Sequence, residues 1–307
     1  MTRFIIIRVI QAFIALIGIS ILIFVLVRAS GDATLIFRGP MSTEEDIARI
    51  RANLGLDKSI PEQYWIFLTN MFKGDLGESL IKERPVTDMI WERIPTTLKL
   101  GVSSFFISMI IAFLLGVLGA VKRDTWMDNG VKFIAILGQA LPGFWLAIMA
   151  IIVFTVHWQI LPPYGVGGVD HYVLPVATMA FFLMPGMMRL VRSSMLDVLD
   201  SEYIKLARIK GLPERVVIWK HALRNALIAP ITAAGMIFSM LITGAVITEQ
   251  IFGLPGVGIL SIEAMFGRDY PVVQGITLMV AGSVLIINLL VDIAYAYIDP
   301  QIRYQRT

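Results

Sequence analysis

Residues 202–230 read EYIKLARIKGLPERVVIWKHALRNALIAP, a basic stretch set between strongly apolar segments. The pattern predicts a helix that Asp200 or Ser201 caps and that carries Lys and Arg in its last turn, where positive charge is favoured. Gly211 can adopt the left-handed conformation that ends a helix, and Pro213 prevents continuation but suits the start of another. The stretch therefore predicts a short helix, a glycine corner and a second helix.

The composition around this stretch is that of a membrane protein. The chain has 307 residues, of which 57% are hydrophobic and 16% charged, with a net charge of +3. Soluble domains are less apolar and more charged. The absence of cysteine excludes disulfides and thiolate chemistry, and the three histidines, His157, His171 and His221, lie in no metal-ligand spacing.

Six segments are long and apolar enough to cross a bilayer as helices, which predicts an all-α membrane protein with one transmembrane domain over residues 1–307. The first segment is too long for the apolar region of a signal peptide, so we interpret it as a retained anchor. The six are Val9–Val27, Leu98–Val121, Val131–Val156, Tyr172–Leu190, Leu227–Ile247 and Ile276–Ile298.

The short loops differ in their Lys and Arg content, and basic loops face the cytoplasm. Loops that follow an even number of spans are basic, whereas His157–His171 has no Lys or Arg and Ile251–Gly275 has only Arg268. Both termini are therefore expected in the cytoplasm. The basic residues are Arg3, Arg8, Lys122, Arg123, Lys132, Arg189, Arg192, Lys205, Arg208, Lys210, Arg215, Lys220, Arg224, Arg303 and Arg306.

The external loop 29–95 has two amphipathic patterns, which predict short helices at the outer membrane surface. One covers residues 42–56, with a cap at Ser42 or Thr43. The other begins at Pro61 and ends at Gly74. A lid that packs on the bundle and a direct contact with solute both fit these patterns.

Helix-breaking and polar residues interrupt the later spans. Span three contains Gln139 followed by Pro142, and span four contains Pro185. Such residues suit a bundle that opens and closes, although close packing of small residues explains them equally well. Glu249 closes span five on its outer side, and Gln139 and Glu249 are candidates for the pathway and its outer gate.

Asp292 is the one carboxylate well inside a predicted span, and such a group needs a partner. Arg189 or Arg192 is the partner we expect. A single acid, without an intramembrane His or Lys, argues against proton-coupled transport.

The sequence shows no enzyme site. It lacks the G-x-x-x-x-G-K-[ST] phosphate loop, the H-E-x-x-H metal motif and an evident Ser/His/Asp grouping. If the protein is a pump, a partner must supply its energy, because the chain has no ATP site of its own. The sizeable cytoplasmic surface that could bind such a partner is residues 200–225. Three interpretations of that stretch are open: a topology signal only, a DNA-binding helix–turn–helix, or a docking surface for a partner protein.

The stretch from Glu202 to Pro230 resembles the permease signature of binding-protein-dependent ABC importers, and most closely the peptide/nickel branch. The general E-A-A-x-x-x-G pattern is replaced here by Lys205-Leu206-Ala207 before Gly211, as in peptide-type permeases. The external loop LGLDKSIPEQYWIFLTNMFKGDLGESLIKERPV, EQIFGLPGVG after span five and the C-terminal INLLVDIAYAYIDPQIRY are similar to the same family, in its first-permease type.

The resemblance implies a type I ABC importer fold in a bacterial inner membrane. It implies that a second, homologous permease pairs with this chain across a central pathway. Two ATP-binding subunits would bind and hydrolyse ATP with Mg²⁺, and an external binding protein would deliver solute. This chain would bind no cofactor and no nucleic acid. The residues that would contact the ATPases are Glu202, Tyr203, Ala207, Arg208, Lys210 and Gly211.

The solute stays open at this stage. The branch favours di- or oligopeptides, whereas glutathione, nickel chelates and oligosaccharides use similar permeases. A secondary transporter that works alone is the alternative from another class, and the scarcity of intramembrane charge argues against it. A membrane scaffold without a transport role is a third interpretation.

Overall fold

A computed structural model describes residues 2–31, 45, 51–52 and 55–298. Helices make up most of this part, which contains no β-strand and one isolated bridge, between Glu78 and Pro85. The helices are α1 (Thr2–Ala29), α2 (Ile60–Phe72), α3 (Val86–Val121), α4 (Trp126–Ala140), α5 (Gly143–Ala150), α6 (Asp170–Leu199), α7 (Glu202–Ile209), α8 (Glu214–Val216), α9 (Leu223–Ala226), α10 (Ile228–Gly244), α11 (Val246–Phe252), α12 (Val257–Phe266) and α13 (Tyr270–Ile298). π-helices extend α5 (Ile151–His157) and join α8 to α9 (Val217–Ala222).

Four of these helices are individually long and apolar enough to span a membrane: Ile5–Ala29, Val86–Val121, Asp170–Leu199 and Tyr270–Ile293. Two helix pairs pass the same test together, α4 with α5 and its π-helix, and α11 with α12, so the described residues contain up to six spans. The fifth predicted span, Leu227–Ile247, is not among these six, because α10 has only 17 residues. The bent pair of α11 and α12 was not predicted as a span. The all-α membrane fold predicted from the sequence is confirmed.

Span three is broken where the sequence places Pro142. The chain bends by 101° between α4 and the helix that follows. Leu141 and Pro142 are extended, because a proline disfavours helical backbone in the residue before it. By contrast, α6 continues through Pro175 and Pro185 as a single helix.

The contacts divide the chain into two compact units, Thr97–Leu254 and Met1–Thr96 with Pro255–Thr307. In the unit Thr97–Leu254, α6 supplies a core of buried methionines that includes Met187, Met188 and Met195. Gly116 allows α3 to approach α6 closely, because a Cβ at that position would lie 2.7 Å from the Val191 Cβ and 2.8 Å from the Met188 carbonyl oxygen. A small residue at such a contact lets two helices approach each other closely.

In the other unit, the second amphipathic helix of the external loop is present as α2, and it packs on α1. The ring centroids of Tyr64 and Phe67 lie 5.4 and 5.8 Å from that of Phe24. Nε of Arg28 donates a 2.8 Å hydrogen bond to Oε1 of Gln63. Most of the first helix expected at 42–56 lies outside the described residues, as do Arg303 and Arg306.

The prediction that Asp292 pairs with Arg189 or Arg192 is wrong. The carboxylate of Asp292 pairs with Arg8 of α1, whose Nε lies 3.2 Å from Oδ2. Arg192 instead pairs with Asp128. The helices α1 and α13 pack against each other, and this tertiary contact joins residues that are far apart in the sequence. Spacing along the chain could not reveal it.

Candidate coupling site

The glycine corner predicted from residues 202–230 is present. Helix α7 ends at Ile209, and Gly211 adopts φ +77°, in the left-handed region. The amide of Gly211 donates to the Arg208 carbonyl at 2.9 Å, and the amide of Leu212 donates to the Ala207 carbonyl at 3.3 Å. These two bonds define the Schellman motif, which satisfies the last carbonyls of a helix.

The start of α7 differs in detail from the expected cap. Ser201 occupies the cap position with extended backbone, but its side chain makes no capping bond and donates to the Val198 carbonyl instead. The carboxylate of Asp200 accepts a 3.1 Å hydrogen bond from Arg123. The first amides of α7 therefore receive no hydrogen bond from the Ser201 side chain. The sequence therefore predicts the cap position correctly and its hydrogen bond wrongly.

An ion pair closes the corner across Gly211. The guanidinium of Arg208 donates two hydrogen bonds to the Glu214 carboxylate, at 2.7 and 3.2 Å. The bonds from Arg208 lower the pKa of Glu214 and raise the pKa of Arg208. A two-bond contact of this kind restrains the angle between α7 and α8 more than a single bond would.

Acidification should loosen this corner. The pKa of Glu214 is lower in the folded chain than in the unfolded chain, so the stabilisation is complete above the ordinary glutamate pKa of about 4.3 and is lost as the pH falls through the folded-state value. Hydrogen exchange at the Gly211 amide, corrected for its intrinsic pH dependence, should accelerate in that window. The same step in Glu214→Gln would contradict this assignment, because that variant has no carboxylate to titrate.

The corner presents a mixed apolar and basic face. Tyr203 and Leu206 are exposed, and Ile209 is 81% exposed. Ile204 and Ala207 are buried in the core of the same unit, and the predicted contact of Ala207 with an ATPase stays a prediction. The amide of Asn225 donates a 2.8 Å hydrogen bond to the Tyr203 hydroxyl. Glu202, Arg208, Lys210 and Gly211, four other predicted coupling residues, are exposed.

A buried ion cluster lies at the end of α6 that leads into α7, and sequence reasoning missed it. Asp128, fully buried at the start of α4, accepts hydrogen bonds of 2.7 and 2.8 Å from Arg192. Nζ of Lys132 lies 2.8 Å from the same carboxylate, and the Asp124 amide donates to it at 3.1 Å. The cluster ties α4 to α6 two turns before α6 ends. An acid flanked by cations at the edge of a predicted span was the available signal.

The two candidates for the pathway and its outer gate, Gln139 and Glu249, lie away from this corner in sequence. Gln139 is exposed near the C-terminal end of α4, beside the break in span three. Glu249 on α11 is fully buried, and its carboxylate accepts a 2.6 Å hydrogen bond from the Thr97 hydroxyl. A hydrogen-bonded, solvent-excluded carboxylate can hold α11 in place, and whether it also gates a pathway stays a prediction.

Comparison with known proteins shows the family. The model of the binding-protein-dependent transport system inner membrane component matches residues 106–304, and the N-terminal model of such membrane components matches residues 1–101. The chain belongs to this family of inner-membrane transport permeases. It is thus a multi-pass component of a binding-protein-dependent ABC importer.

Full-length relatives support the same class. One relative is a Brucella abortus (strain 2308) protein that has been provisionally named a peptide transport system permease protein. The chain is 41% identical to it over 313 residues, which cover 99% of this chain and 100% of the relative. It is 36% identical over 306 residues to the glutathione transport system permease protein GsiC of Escherichia coli (strain K12), with 99% and 100% covered. Both relatives are named as permease proteins of transport systems.

Solved structures confirm the fold. An inward-facing structure of the MetNI methionine ABC transporter matches with a TM-score of 0.58 at 18% identity, covering 69% of this chain and 96% of that chain. An amino acid ABC transporter structure matches with a TM-score of 0.57 at 13% identity, covering 69% and 94%. The type I ABC importer fold expected from the sequence is thus confirmed.

Proposed function

We propose that this permease couples to two cytoplasmic ATP-binding subunits through α7 and the Gly211 corner. The observation that carries the proposal is the exposed face of Tyr203, Leu206 and Ile209 on a helix whose end is held by the Schellman motif and the Arg208–Glu214 pair. Exposed aliphatic side chains beside basic ones suit a protein groove better than open water. A rigid corner also transmits a movement of the partner to α6 and α8, because the corner itself does not deform.

The rest of the machinery follows from the family. In our proposal, this chain forms half of the translocation pathway, and a second homologous permease forms the other half. ATP and Mg²⁺ bind to the partner ATPases and not to this chain. An external binding protein delivers the solute, and both termini lie in the cytoplasm. The family description, which names a binding protein and an inner membrane component, supports this arrangement.

A peptide-like solute is the one we propose. Both names among the full-length relatives concern peptides in the chemical sense, because glutathione is a tripeptide. Nickel chelates and oligosaccharides are alternatives within the same machinery. A stand-alone secondary transporter is the alternative from another class, and it would need no docking corner.

Co-purification tests the coupling proposal. The full chain, tagged and solubilised in mild detergent, should bring down two ATP-binding subunits and a second permease. Ile209→Asp should release the ATPases and leave the second permease bound, because a carboxylate replaces the most exposed aliphatic side chain of α7.

Val169→Asp is the matched control. Val169 is equally exposed but precedes α6 at the end opposite α7, so this variant should retain every partner. ATPases that remain bound to Ile209→Asp would place the docking surface elsewhere. Transport by the purified chain alone would favour the secondary transporter.

A further inference from the structure

A cleft of about 310 Å³ opens between α4 and α6, beside the buried ion cluster. Its walls combine two kinds of side chain, since four residues are apolar and three are cationic. The lining residues are Val131, Lys132, Ala135, Ile136, Met188, Arg189 and Arg192. All of them belong to the unit Thr97–Leu254, and the coupling face of α7 contributes none.

The cationic wall carries more charge than the chain neutralises. Lys132 and Arg192 share one carboxylate, that of Asp128. Asp124, the next acid toward the N-terminus, pairs with Arg123 outside the cleft. Arg189 is exposed, and its side chain makes no ion pair or hydrogen bond within the described part of the chain. The three lining cations and the Asp128 carboxylate therefore leave a formal surplus of two positive charges, which Asp124 partly offsets at Arg192.

The apolar wall and the depth of the cleft match the edge of a bilayer. Ile136 is 65% exposed, one turn deeper along α4 than Lys132. Lys132 lies six residues from Trp126, a rise of about 9 Å, and Trp126 is 77% exposed at the start of the helix. Exposed tryptophans favour the membrane–water interface. The cations thus lie near headgroup depth, and Ile136 lies beside the acyl chains.

We propose that this cleft binds an anionic phospholipid. Arg189, Lys132 and the outer edge of Arg192 contact the headgroup phosphate, and one acyl chain runs along Ile136. Guanidinium groups match phosphate oxygens with paired hydrogen bonds, and basic pockets between transmembrane helices recognise anionic headgroups. A zwitterionic lipid fits less well, because its ammonium group adds positive charge where the cleft already has a surplus.

The lipid would have a structural consequence. It would bridge the start of α4 and the end of α6, which lie next to the coupling corner, and it would offset the charge that the Asp128 cluster leaves over. This proposal does not rest on the identity of the solute or on docking of the ATPases.

The test uses the full chain with its partner subunits in mild detergent. Dioleoyl-phosphatidylglycerol should raise the thermal midpoint and remain bound through washing, as measured by mass spectrometry of retained lipid, whereas dioleoyl-phosphatidylcholine should do neither. Arg189→Gln should weaken phosphatidylglycerol binding about tenfold, because it removes one charge-assisted contact. Arg189→Lys should retain part of the binding.

Lys122→Gln is the matched control, because Lys122 is an exposed cation near the same end of α4 but outside the cleft. It should leave lipid binding unchanged. Equal effects of the two lipids, equal effects of Arg189→Gln and Lys122→Gln, or no retained lipid would each overturn the proposal. An equal midpoint shift from inorganic phosphate would overturn it too, since the cleft would then bind free anions.

Discussion

Replacing Gly211 with valine (Gly211→Val) should abolish transport-coupled ATP hydrolysis while leaving the chain in the membrane. Gly211 adopts φ +77°, a conformation that β-branched residues strongly resist. Nothing lies within 4 Å of where its Cβ would be, so the penalty comes from the backbone and not from a clash. The valine would turn the backbone to negative φ and break the two Schellman bonds. The face of α7 would then no longer be presented at the correct angle. Solute-stimulated ATPase activity of the reconstituted importer is the measurement.

Two variants separate backbone strain from other effects. Gly130→Val makes the same change in a helix, with open space and no positive φ, and it should retain activity. Gly211→Asn should retain part of the activity, because asparagine tolerates the left-handed region. Normal stimulated ATPase activity in Gly211→Val would remove the corner from the coupling mechanism.

Removal of one partner from the buried ion cluster should have the largest effect on stability. Arg192→Met leaves the fully buried Asp128 carboxylate with Lys132 as its remaining side-chain partner. Breaking a buried pair in this way costs about 3 kcal/mol, because the remaining charge keeps its desolvation penalty. The thermal midpoint of the purified chain should fall accordingly, and α4 should come loose from α6.

Arg123→Met, in the loop before α4, provides the matched control. Arg123 and Asp200 form an exposed pair, with 54% and 70% of their side-chain surfaces accessible, so its loss should cost less than about 1 kcal/mol. The double variant Asp128→Leu with Arg192→Met should recover most of the lost stability, because it leaves no unpaired carboxylate. Equal midpoints for Arg192→Met and Arg123→Met would show that the buried cluster contributes no more than a surface pair.

Much of the fold was accessible to local reasoning. The Gly211 corner, the break at Pro142 and the helix after Pro61 depend on the backbone preferences of glycine and proline, which act within a few residues. The resemblance of Glu202–Pro230 to a permease signature led to the family that the comparisons confirm. The prediction of a Ser201 capping bond failed, because the Ser201 hydroxyl instead donates to the Val198 carbonyl of the preceding helix.

The sequence by itself determined the membrane class, the approximate spans and the shape of the coupling corner, because hydropathy and turn chemistry are local properties. Only the tertiary structure decided which charges meet. Asp292 pairs with Arg8, and Asp128 pairs with Arg192, across separations that no spacing rule reaches. The tertiary structure also decided that Ala207 is buried in the core and that Ile209 is exposed. Which face of a short helix is buried depends on the helices that pack against it, and those come from distant parts of the chain.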